Sequence, residues 1–269
     1  MKRNSITASI IAYNEEKNIR RCLDSINGVI DEIVLVHDGP CSDRTLEIAK
    51  EYAKKIFVRP RIGEAEPHRP FAMEQASSEW ILTLDADEYL SPELAKSLRQ
   101  LVQDDAVDGY EFYWSFYDKG KRITSGPLSK AYRLALFRKS KTTAPQKFHE
   151  WYKVRGSIKK RLDLILEHAL PPDNWTLSGF RKKNWPRARN DARFRILNGY
   201  APYPFPFYLL KAVIWFAALL PYVFFLQKTF LNGFLGLRMA FLVALYNFLL
   251  YFYIFKFKIR GVPEVNAHA

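Results

Sequence analysis

Residues 80–88 read WILTLDADE, a short apolar run that ends in acidic residues. Trp80–Leu84 has the length and composition of a buried strand. Asp85 and Asp87 follow it directly, and an Asp-x-Asp pair in a tight turn can direct both carboxylates at one hard cation. Oxygen ligands of this kind suit Mg²⁺ or Mn²⁺. Most such pairs are solvated turn acids, so the meaning of this one depends on its surroundings.

The sequence before this run alternates between strands and helices. We predict strands at 6–13, 32–37, 56–58 and 80–84, a helix after Asn14, helices at 44–54 and 69–78, and a helix opened by Pro92 after Ser91. Asn14, and then Ser42 or Asp43, are the expected N-caps. Alternating strands and helices predict an α/β fold with a mostly parallel sheet.

Ligands of such sheets bind beyond the carboxyl ends of the strands. The predicted strand ends lead into Tyr13-Asn14-Glu15-Glu16, into 38–43 (DGPCSD) and into Asp85-Ala86-Asp87-Glu88. Acidic and small residues therefore collect at one edge of the sheet, which favours a functional Asp-x-Asp pair over a solvated turn.

These three loops, taken in order, resemble those of the GT-A domain of family 2 glycosyltransferases. The resemblance covers about 5–170 and is nearest to the branch that includes lipopolysaccharide core glycosyltransferases, through LDADE, the run 132–139 (YRLALFRK) and the pair His149-Glu150. It implies a nucleotide-sugar-binding GT-A domain, followed here by a hydrophobic helical region that associates with a membrane.

The resemblance also implies how a nucleotide sugar binds. Tyr13 and Glu15 would lie at the base and ribose, Asp38 would bind the base, and Arg69 would lie near the diphosphate. Asp85 would face the ribose or a metal ion. The second loop departs from the usual family pattern, since 37–43 reads HDGPCSD, and this leaves the identity of the base open.

The resemblance implies a Mg²⁺ or Mn²⁺ cofactor held by Asp87, Asp85 and a late histidine, His168. Transfer to an alcohol needs a general base near the acceptor hydroxyl, and the resemblance gives this role to Glu150. The expected diphosphate or acceptor contacts are Arg133, Arg138 and His149. Each has a plainer alternative, namely a surface strand acid for Glu150, a packing role for the histidines and surface positions for the arginines.

The composition of the sequence changes near residue 200, from mixed charge to predominantly apolar and aromatic residues. Two uncharged runs, 212–226 and 239–255, follow a connector that contains seven cations and one acid between Arg181 and Arg195. Both runs are shorter than the roughly 20 residues that span a bilayer. We therefore expect helices that lie in the cytoplasmic leaflet, with a two-helix hairpin or a soluble helical subdomain as alternatives.

The net charge of +13 requires an anionic partner. Its position beside an apolar tail favours anionic lipid over nucleic acid. We expect a catalytic domain at 1–170, a basic connector at 171–204, membrane-associated helices at 205–258 and a tail at 259–269. Without a signal peptide, the first domain is expected in the cytoplasm.

The expected function is inverting transfer of a sugar from a nucleotide diphosphate to a lipid-linked or cell-envelope glycan at the cytoplasmic membrane face. A polyprenyl-phosphate sugar synthase of the same fold is one alternative. A non-catalytic, membrane-tethered nucleotide-binding scaffold is another. The sequence leaves open the sugar, the nucleotide, the acceptor and the oligomeric state.

Overall fold

The computed structural model describes residues 4–129, 131–146, 150–171 and 173–263. The chain forms two compact units. The first contains the chain up to Arg122 and the stretch from the strand that begins at Ala131 to Leu170. The second contains Ile123–Ser129 and the chain from Pro171 onward.

The first half of the sheet is parallel, as the sequence predicts. Its strands and helices are β1 (Ile6–Ala12), α1 (Ile19–Ile26), β2 (Glu32–Asp38), α2 (Thr45–Ala49), β3 (Lys55–Arg59), α3 (Arg69–Gln75) and β4 (Trp80–Asp85). The spatial order is β3-β2-β1-β4, and each neighbouring pair runs parallel. The loops after these four strands therefore meet at one edge.

The second half adds strands of both directions. They are β5 (Glu88–Leu90), α4 (Pro92–Leu101), β6 (Gly109–Asp118), β7 (Lys121–Arg122), β8 (Ala131–Arg138), β9 (Thr142–Thr143), β10 (Lys153–Val154) and β11 (Ile158–Ala169). β8 runs antiparallel to β4 and β6, β6 runs parallel to β11, and β5 pairs antiparallel with β11. The carboxyl end of β11 thus lies at the same edge as that of β4.

The core of this unit forms where α1 packs on β1. Ile19, Leu23 and Ile26 are spaced at three and four residues, so they share one face of the helix. They are fully buried with Ile6 and Ile10. Burial of such side chains stabilises the fold by about 1.5–3 kcal/mol each, and it fixes the position of the loop between β1 and α1.

The helix start predicted after Ser91 is confirmed, whereas the cap predicted at Asn14 is wrong. Ser91 caps α4 by accepting a hydrogen bond from the Leu94 amide, with Pro92 in the first turn. Asn14 does not cap α1, which begins at Ile19 with Asn18 as the N-cap residue. α2 has Arg44 at its N-cap, although Asp43 Oδ1 accepts from the Thr45 amide at 2.9 Å.

The second unit is helical. It contains α5 (Leu177–Gly179), a π-helical stretch Phe180–Asn184, α6 (Trp185–Leu197), α7 (Phe205–Pro221) continued by a π-helical stretch Tyr222–Leu226, and α8 (Phe234–Arg260). The stretch expected as a basic connector is thus largely helical. α8 packs against both α6 and α7.

The two apolar helices are longer than the uncharged runs that predicted them. The helical stretches Phe205–Leu226 and Phe234–Arg260 have 22 and 27 residues, long and apolar enough to cross a membrane by length and composition alone. The expectation that both are too short to span a bilayer is therefore wrong. It failed because each helix continues through the charged residues that bound its uncharged run, Lys211 in the first helix and Arg238 and Lys256 in the second.

The turn between α7 and α8 packs on the segment Ile123–Ser129. Asn232 Nδ2 donates to Ser125 Oγ at 2.7 Å, and the Gly126 amide donates to the Gln227 carbonyl at 2.9 Å. Gly126 has a φ of +94°, and a Cβ there would lie 2.5 Å from Thr229 Cγ2. Only glycine meets both conditions without strain.

Candidate active site

The loops after β1 and β2 are joined by a buried histidine. The Asn14 amide donates to His37 Nε2 at 3.2 Å, and His37 Nδ1 lies 2.7 Å from the Gly39 carbonyl oxygen. These contacts require a neutral ring with its proton on Nδ1. Asn14 adopts a left-handed φ of 50°, and its side chain hydrogen-bonds Ser42. The role of His37 is absent from the sequence prediction, and its only sequence signal is the departure from the family pattern in the second loop.

Asp38 is nearly buried at the end of β2 and binds the loop after β3. Its two oxygens accept from the Ile62 amide at 2.6 Å and the Gly63 amide at 2.8 Å, and His68 Nε2 lies 2.8 Å from Oδ1. Burial alone would raise the pKa of Asp38, but these amides and His68 lower it. Asp38 thus holds the loop that follows β3 against the end of β2.

Tyr13 and Glu15 lie in the loop after β1. The Tyr13 ring is 39% exposed, and the Arg61 guanidinium carbon lies 3.4 Å from its centroid. The Glu15 carboxylate accepts from Asn18 Nδ2, and its backbone amide donates to Thr45 Oγ1 at 2.6 Å. These contacts leave Tyr13 as an exposed ring at the edge where the parallel strands end.

Asp85 is held by two arginines. Arg69 donates to Asp85 Oδ1 at 2.7 Å, and an Arg133 nitrogen lies 3.6 Å from Asp85 Oδ2. Arg69 comes from the start of α3. Arg133 comes from β8, whose register pairs Leu82 with Leu136 and therefore brings Arg133 opposite Asp85. Burial opposes ionisation of Asp85, but the two arginines outweigh it and hold its pKa well below the usual range.

A fully buried glutamate lies beneath this pair. Glu88 is 0% exposed, it contacts Arg133 directly, and it accepts from the Asp85 backbone amide at 2.8 Å. The sequence analysis quotes Glu88 within the Asp85–Glu88 loop and gives it no role. Its sequence signal is a third acid directly after Asp-x-Asp, but burial cannot be read from that pattern.

Asp87 and His168 meet although 80 positions separate them. His168 is paired with Glu88 through β11 and β5, which brings its Nε2 to 3.3 Å from Asp87 Oδ2. His168 Nδ1 and Glu88 Oε1 lie 3.8 Å apart, and both are buried without a hydrogen-bond partner in the part of the chain that the structure describes. Asp87 and His168 are both sequence-predicted metal ligands.

The described residues contain no group of three histidine, cysteine or acidic side chains arranged to hold a metal ion. Asp85, expected as a metal or ribose contact, forms ion pairs with Arg69 and Arg133. The remaining pair, Asp87 and His168, offers one carboxylate and one imidazole at the edge of the site. Mg²⁺ and Mn²⁺ are commonly held by one or two protein ligands together with substrate phosphates, so the donor set fits such an ion.

Arg138 does not reach this group. It is paired with Trp80 at the opposite end of β4, and it donates to the Val107 carbonyl at 3.2 Å and to Asp105 at 3.0 Å. Five residues of extended strand separate it from Arg133, a distance of about 16 Å. Its position does not support the expected diphosphate contact.

Glu150 lies two residues from a side chain of the site. Its Oε2 accepts from the Gln146 amide at 2.9 Å. The buried Tyr152 hydroxyl lies 3.4 Å from Thr83 Oγ1, which also accepts from Arg69 at 3.0 Å. Tyr152 thus connects the Glu150 segment to the Asp85 network, a connection that sequence reasoning missed. The expected contact His149 lies outside the described residues.

Four parallel strands, three of them followed by acidic loops, are joined to a mixed half that returns Arg133 and His168 to the same edge, an arrangement typical of a nucleotide-sugar-binding domain of the GT-A class. The profile of the Glycosyl transferase family 2 matches residues 7–177. The chain belongs to this family, and the GT-A prediction is confirmed.

Two curated relatives are named as glycosyltransferases. An uncharacterized glycosyltransferase of Rickettsia typhi is 32% identical over 134 residues, 48% of this chain and 45% of the relative. The lipopolysaccharide core biosynthesis glycosyltransferase LpsC of Rhizobium meliloti is 29% identical over 174 residues, 62% of this chain and 63% of the relative. The chain therefore spans less than two thirds of either relative.

Among solved structures, residues 1–349 of Staphylococcus aureus TarS resemble this chain with a TM-score of 0.45 and 19% identity. The match covers 64% of this chain and 62% of TarS 1–349.

Proposed function

We propose that this protein is an inverting glycosyltransferase that moves a sugar from a nucleoside diphosphate to a lipid-linked or cell-envelope glycan at the cytoplasmic face of a membrane. The observation that carries the proposal is the carboxyl edge of β4, where Arg69, Arg133, Asp87 and His168 surround Asp85. Two arginines and a carboxylate–imidazole pair at one edge suit a diphosphate and a divalent cation.

The nucleoside end of the donor would bind at the loops after β1 and β2. The exposed Tyr13 ring is a stacking surface, and Asp38 and Glu15 supply carboxylates beside it. Asp38 has its oxygens engaged by Ile62, Gly63 and His68. A carboxylate has about four acceptor sites, so Asp38 can still accept one hydrogen bond from a base.

Asp87 and His168 would hold Mg²⁺ or Mn²⁺ together with the diphosphate oxygens. A bound cation there would stabilise the charge that develops on the departing diphosphate. Arg69 and Arg133 act on the same charge with fixed, mostly buried guanidinium groups. Glu88 contacts Arg133 and so holds its guanidinium beside Asp85.

Glu150 would remove the acceptor proton. As the acceptor oxygen bonds to the anomeric carbon, the bond from that carbon to the diphosphate breaks on the opposite face, and the hydroxyl proton passes to the Glu150 carboxylate. Tyr152 supports this assignment, because its hydrogen-bond distance to Thr83 holds the segment beside Arg69. Anchoring of this kind fixes the base relative to the leaving group.

The acceptor class rests on the chain's second unit and on a relative. Two long apolar helices and a basic helix suit an acceptor embedded in an anionic membrane. The Rhizobium meliloti relative is named for lipopolysaccharide core biosynthesis. Both observations favour a lipid-linked glycan.

Nucleotide release from a panel of sugar nucleotides, with membrane lipid extract and with Mg²⁺ or Mn²⁺, tests the proposal. We expect release from one donor that a chelator abolishes. Asp87→Asn should lower turnover by at least about 100-fold, the scale for loss of one charge-stabilising group. Asp105→Asn, which changes a carboxylate that is 90% exposed at the other edge, should leave turnover unchanged.

The acceptor step has its own variant. Glu150→Gln should abolish turnover while donor still binds, measured by calorimetry with the nucleoside diphosphate. Glu93→Gln on the exposed face of α4 is the matched control. Equal turnover in Glu150→Gln and the control would contradict the base assignment, and release from no donor would contradict the transferase function.

A further inference from the structure

In the helical unit, α8 packs against two helical segments of different chemical character. One neighbour of α8 is α7, which is overwhelmingly apolar. The other is α6 with the π-helical stretch before it, which is strongly basic. The helical unit therefore has an apolar surface on α7 and a basic surface on α6 and the stretch before it.

The apolar face is exposed rather than packed. Only 11% of the most hydropathic window of Phe205–Leu226 is buried. Leu210, Val213 and Ile214 lie at helical spacing on α7 and are 60%, 56% and 53% exposed. Lys211 is the single charge in this helix, and its Nζ lies 4.6 Å from the centroid of the Tyr251 ring. A continuous exposed apolar face of this kind marks a membrane or protein interface.

The basic helical stretch, 177–197, packs against α8 along most of the length of α8. Trp185 Nε1 donates to the Tyr253 hydroxyl at 2.8 Å, Tyr246 hydrogen-bonds Asp191, and Phe180 and Ala188 pack with Leu242 and Leu249. The exposed cations of this stretch are Arg181, Lys182, Lys183, Arg187, Arg189 and Arg195. Because buried contacts attach the basic helix to α8, any position of α8 relative to a membrane also fixes the position of the basic helix.

The packing of the basic helix against α8 distinguishes two membrane arrangements, a hairpin that crosses the bilayer and a helical unit that lies flat in one leaflet. If α7 and α8 crossed a bilayer as a hairpin, α8 would carry the arginine-rich helix into the hydrocarbon. Charged side chains at the bilayer centre are costly and rare. If the unit lies flat, α7 enters the apolar region and the cations of the basic helix remain at the level of the phosphates, where anionic lipids attract them.

We propose that the helical unit docks onto one leaflet of an anionic bilayer, with α7 immersed in that leaflet and the basic face of 177–197 at the headgroups. The occupant of the apolar face is lipid, because the exposed cations beside it match the phosphates of a membrane. The inference uses the proposed membrane location but does not depend on sugar transfer.

Topology is tested with the full chain expressed in bacterial cells, from which inside-out membrane vesicles and spheroplasts are prepared. Lys228→Cys marks the turn between α7 and α8, and Tyr200→Cys marks the entry to α7. A membrane-impermeant maleimide is applied to inside-out vesicles and to intact spheroplasts, with labelled peptides identified by mass so that Cys22 and Cys41 are distinguished. We expect both positions to label in inside-out vesicles and neither in spheroplasts. Labelling of the two positions from opposite sides would overturn the proposal.

Flotation with vesicles tests the lipid assignment. Replacing Arg181, Lys182 and Lys183 by Gln should weaken binding to mixed phosphatidylglycerol–phosphatidylcholine vesicles by about 100-fold, from about fivefold per cation. Replacing Lys50, Lys54 and Lys96 by Gln removes the same charge from exposed positions of the sheet unit and should change binding little. Leu210→Gln with Val213→Gln should weaken binding to neutral vesicles as well.

Two outcomes separate this inference from its rivals. A detergent-free dimer that floats with neither type of vesicle would assign the apolar face to a second copy of the chain and overturn the proposal. Vesicle binding that is lost equally in the Lys50, Lys54 and Lys96 variant would overturn the role of the basic helix. Because neither flotation nor labelling reads sugar transfer, an inactive protein that docks as expected would contradict only the proposed function.

Discussion

The two edges of the central sheet carry the same kinds of charged residue in different settings. At the amino edge, Glu32 accepts from the Thr7 hydroxyl and the Ser77 amide and lies 2.6 Å from Lys55. Asp31 accepts from the Ile6 amide and pairs with Arg99 at 2.6 Å. Each carboxylate there ties the start of one strand to a neighbouring element.

At the carboxyl edge the charged residues are more deeply buried and contact one another. Glu88 and Arg133 are nearly inaccessible and contact each other, while Asp85 shares its charge between two arginines. Glu88 Oε1 and His168 Nδ1 have no hydrogen-bond partner among the described residues. The charges at the amino edge satisfy one another, whereas the carboxyl edge keeps buried polar atoms without a partner among the described residues. That difference, rather than the residue types, distinguishes a structural edge from the proposed ligand-binding one.

The largest expected effect comes from breaking the buried pair at the carboxyl edge. Glu88→Ala leaves the Arg133 charge in the interior and the Asp85 amide without its acceptor. We expect the free energy of unfolding to fall by about 3–5 kcal/mol, as for other buried pairs that lose one partner. Urea denaturation measures it. Glu111→Ala removes a strand glutamate that pairs with a largely exposed Lys160, and its cost should stay below about 1 kcal/mol.

A smaller effect is expected from acid titration of the amino edge. Burial would raise the pKa of Glu32, but hydrogen bonds from Lys55, Ser77 and Thr7 lower it to about 2. Since the pKa is lower in the folded state, the stabilisation is present above the unfolded value and is lost as the pH falls from about 5 to about 2. After allowance for solvent screening we expect about 1–2 kcal/mol.

The comparison variant for this titration is Glu32→Gln. Its urea midpoint should change less between pH 7 and pH 3 than that of the unaltered chain. An identical pH dependence in both proteins would show that Glu32 keeps an ordinary pKa.

The smallest effect is expected at Arg138. It pairs with Asp105, which is 90% exposed, and lies 3.7 Å from Asp108, so Arg138→Gln should cost about 1 kcal/mol of stability and leave nucleotide release unchanged. Arg133→Gln, on the same strand, should abolish release. A loss of activity in Arg138→Gln with normal stability would return Arg138 to the diphosphate site and erase the contrast between the edges.

Much of the parallel half was predictable because its signals are local. The β-branched run 33–36 reads as a buried strand on its own, and Ser91-Pro92 carries the start of α4 in two residues. Asn14 misled the prediction because asparagine suits both a helix cap and a left-handed turn. Its side chain bonds to Ser42, 28 positions away, and no local pattern reports that contact.

The pairing of distant strands was not predictable from the sequence. Arg133 and Arg138 flank one apolar run and look equivalent until the register of β8 against β4 places them at opposite ends. The sequence shows that Glu88 is acidic, but its burial depends on the pairing of β5 with the distant strand β11. His168 entered the prediction only through the family resemblance, since its approach to Asp87 depends on that same pairing.

The position of Cys22 has a practical consequence for studying this enzyme. Its sulfur lies beneath the site, 3.8 Å from the Asp85 carbonyl oxygen, and burial, followed by the charges of Asp87 and Asp85, raises the pKa of its thiol. A buried thiol that stays protonated is inert to alkylation. The other native cysteine, Cys41, is partly exposed in the loop after β2. The unaltered protein thus offers one native attachment point for a fluorescent reporter, at the edge where the nucleotide is proposed to arrive.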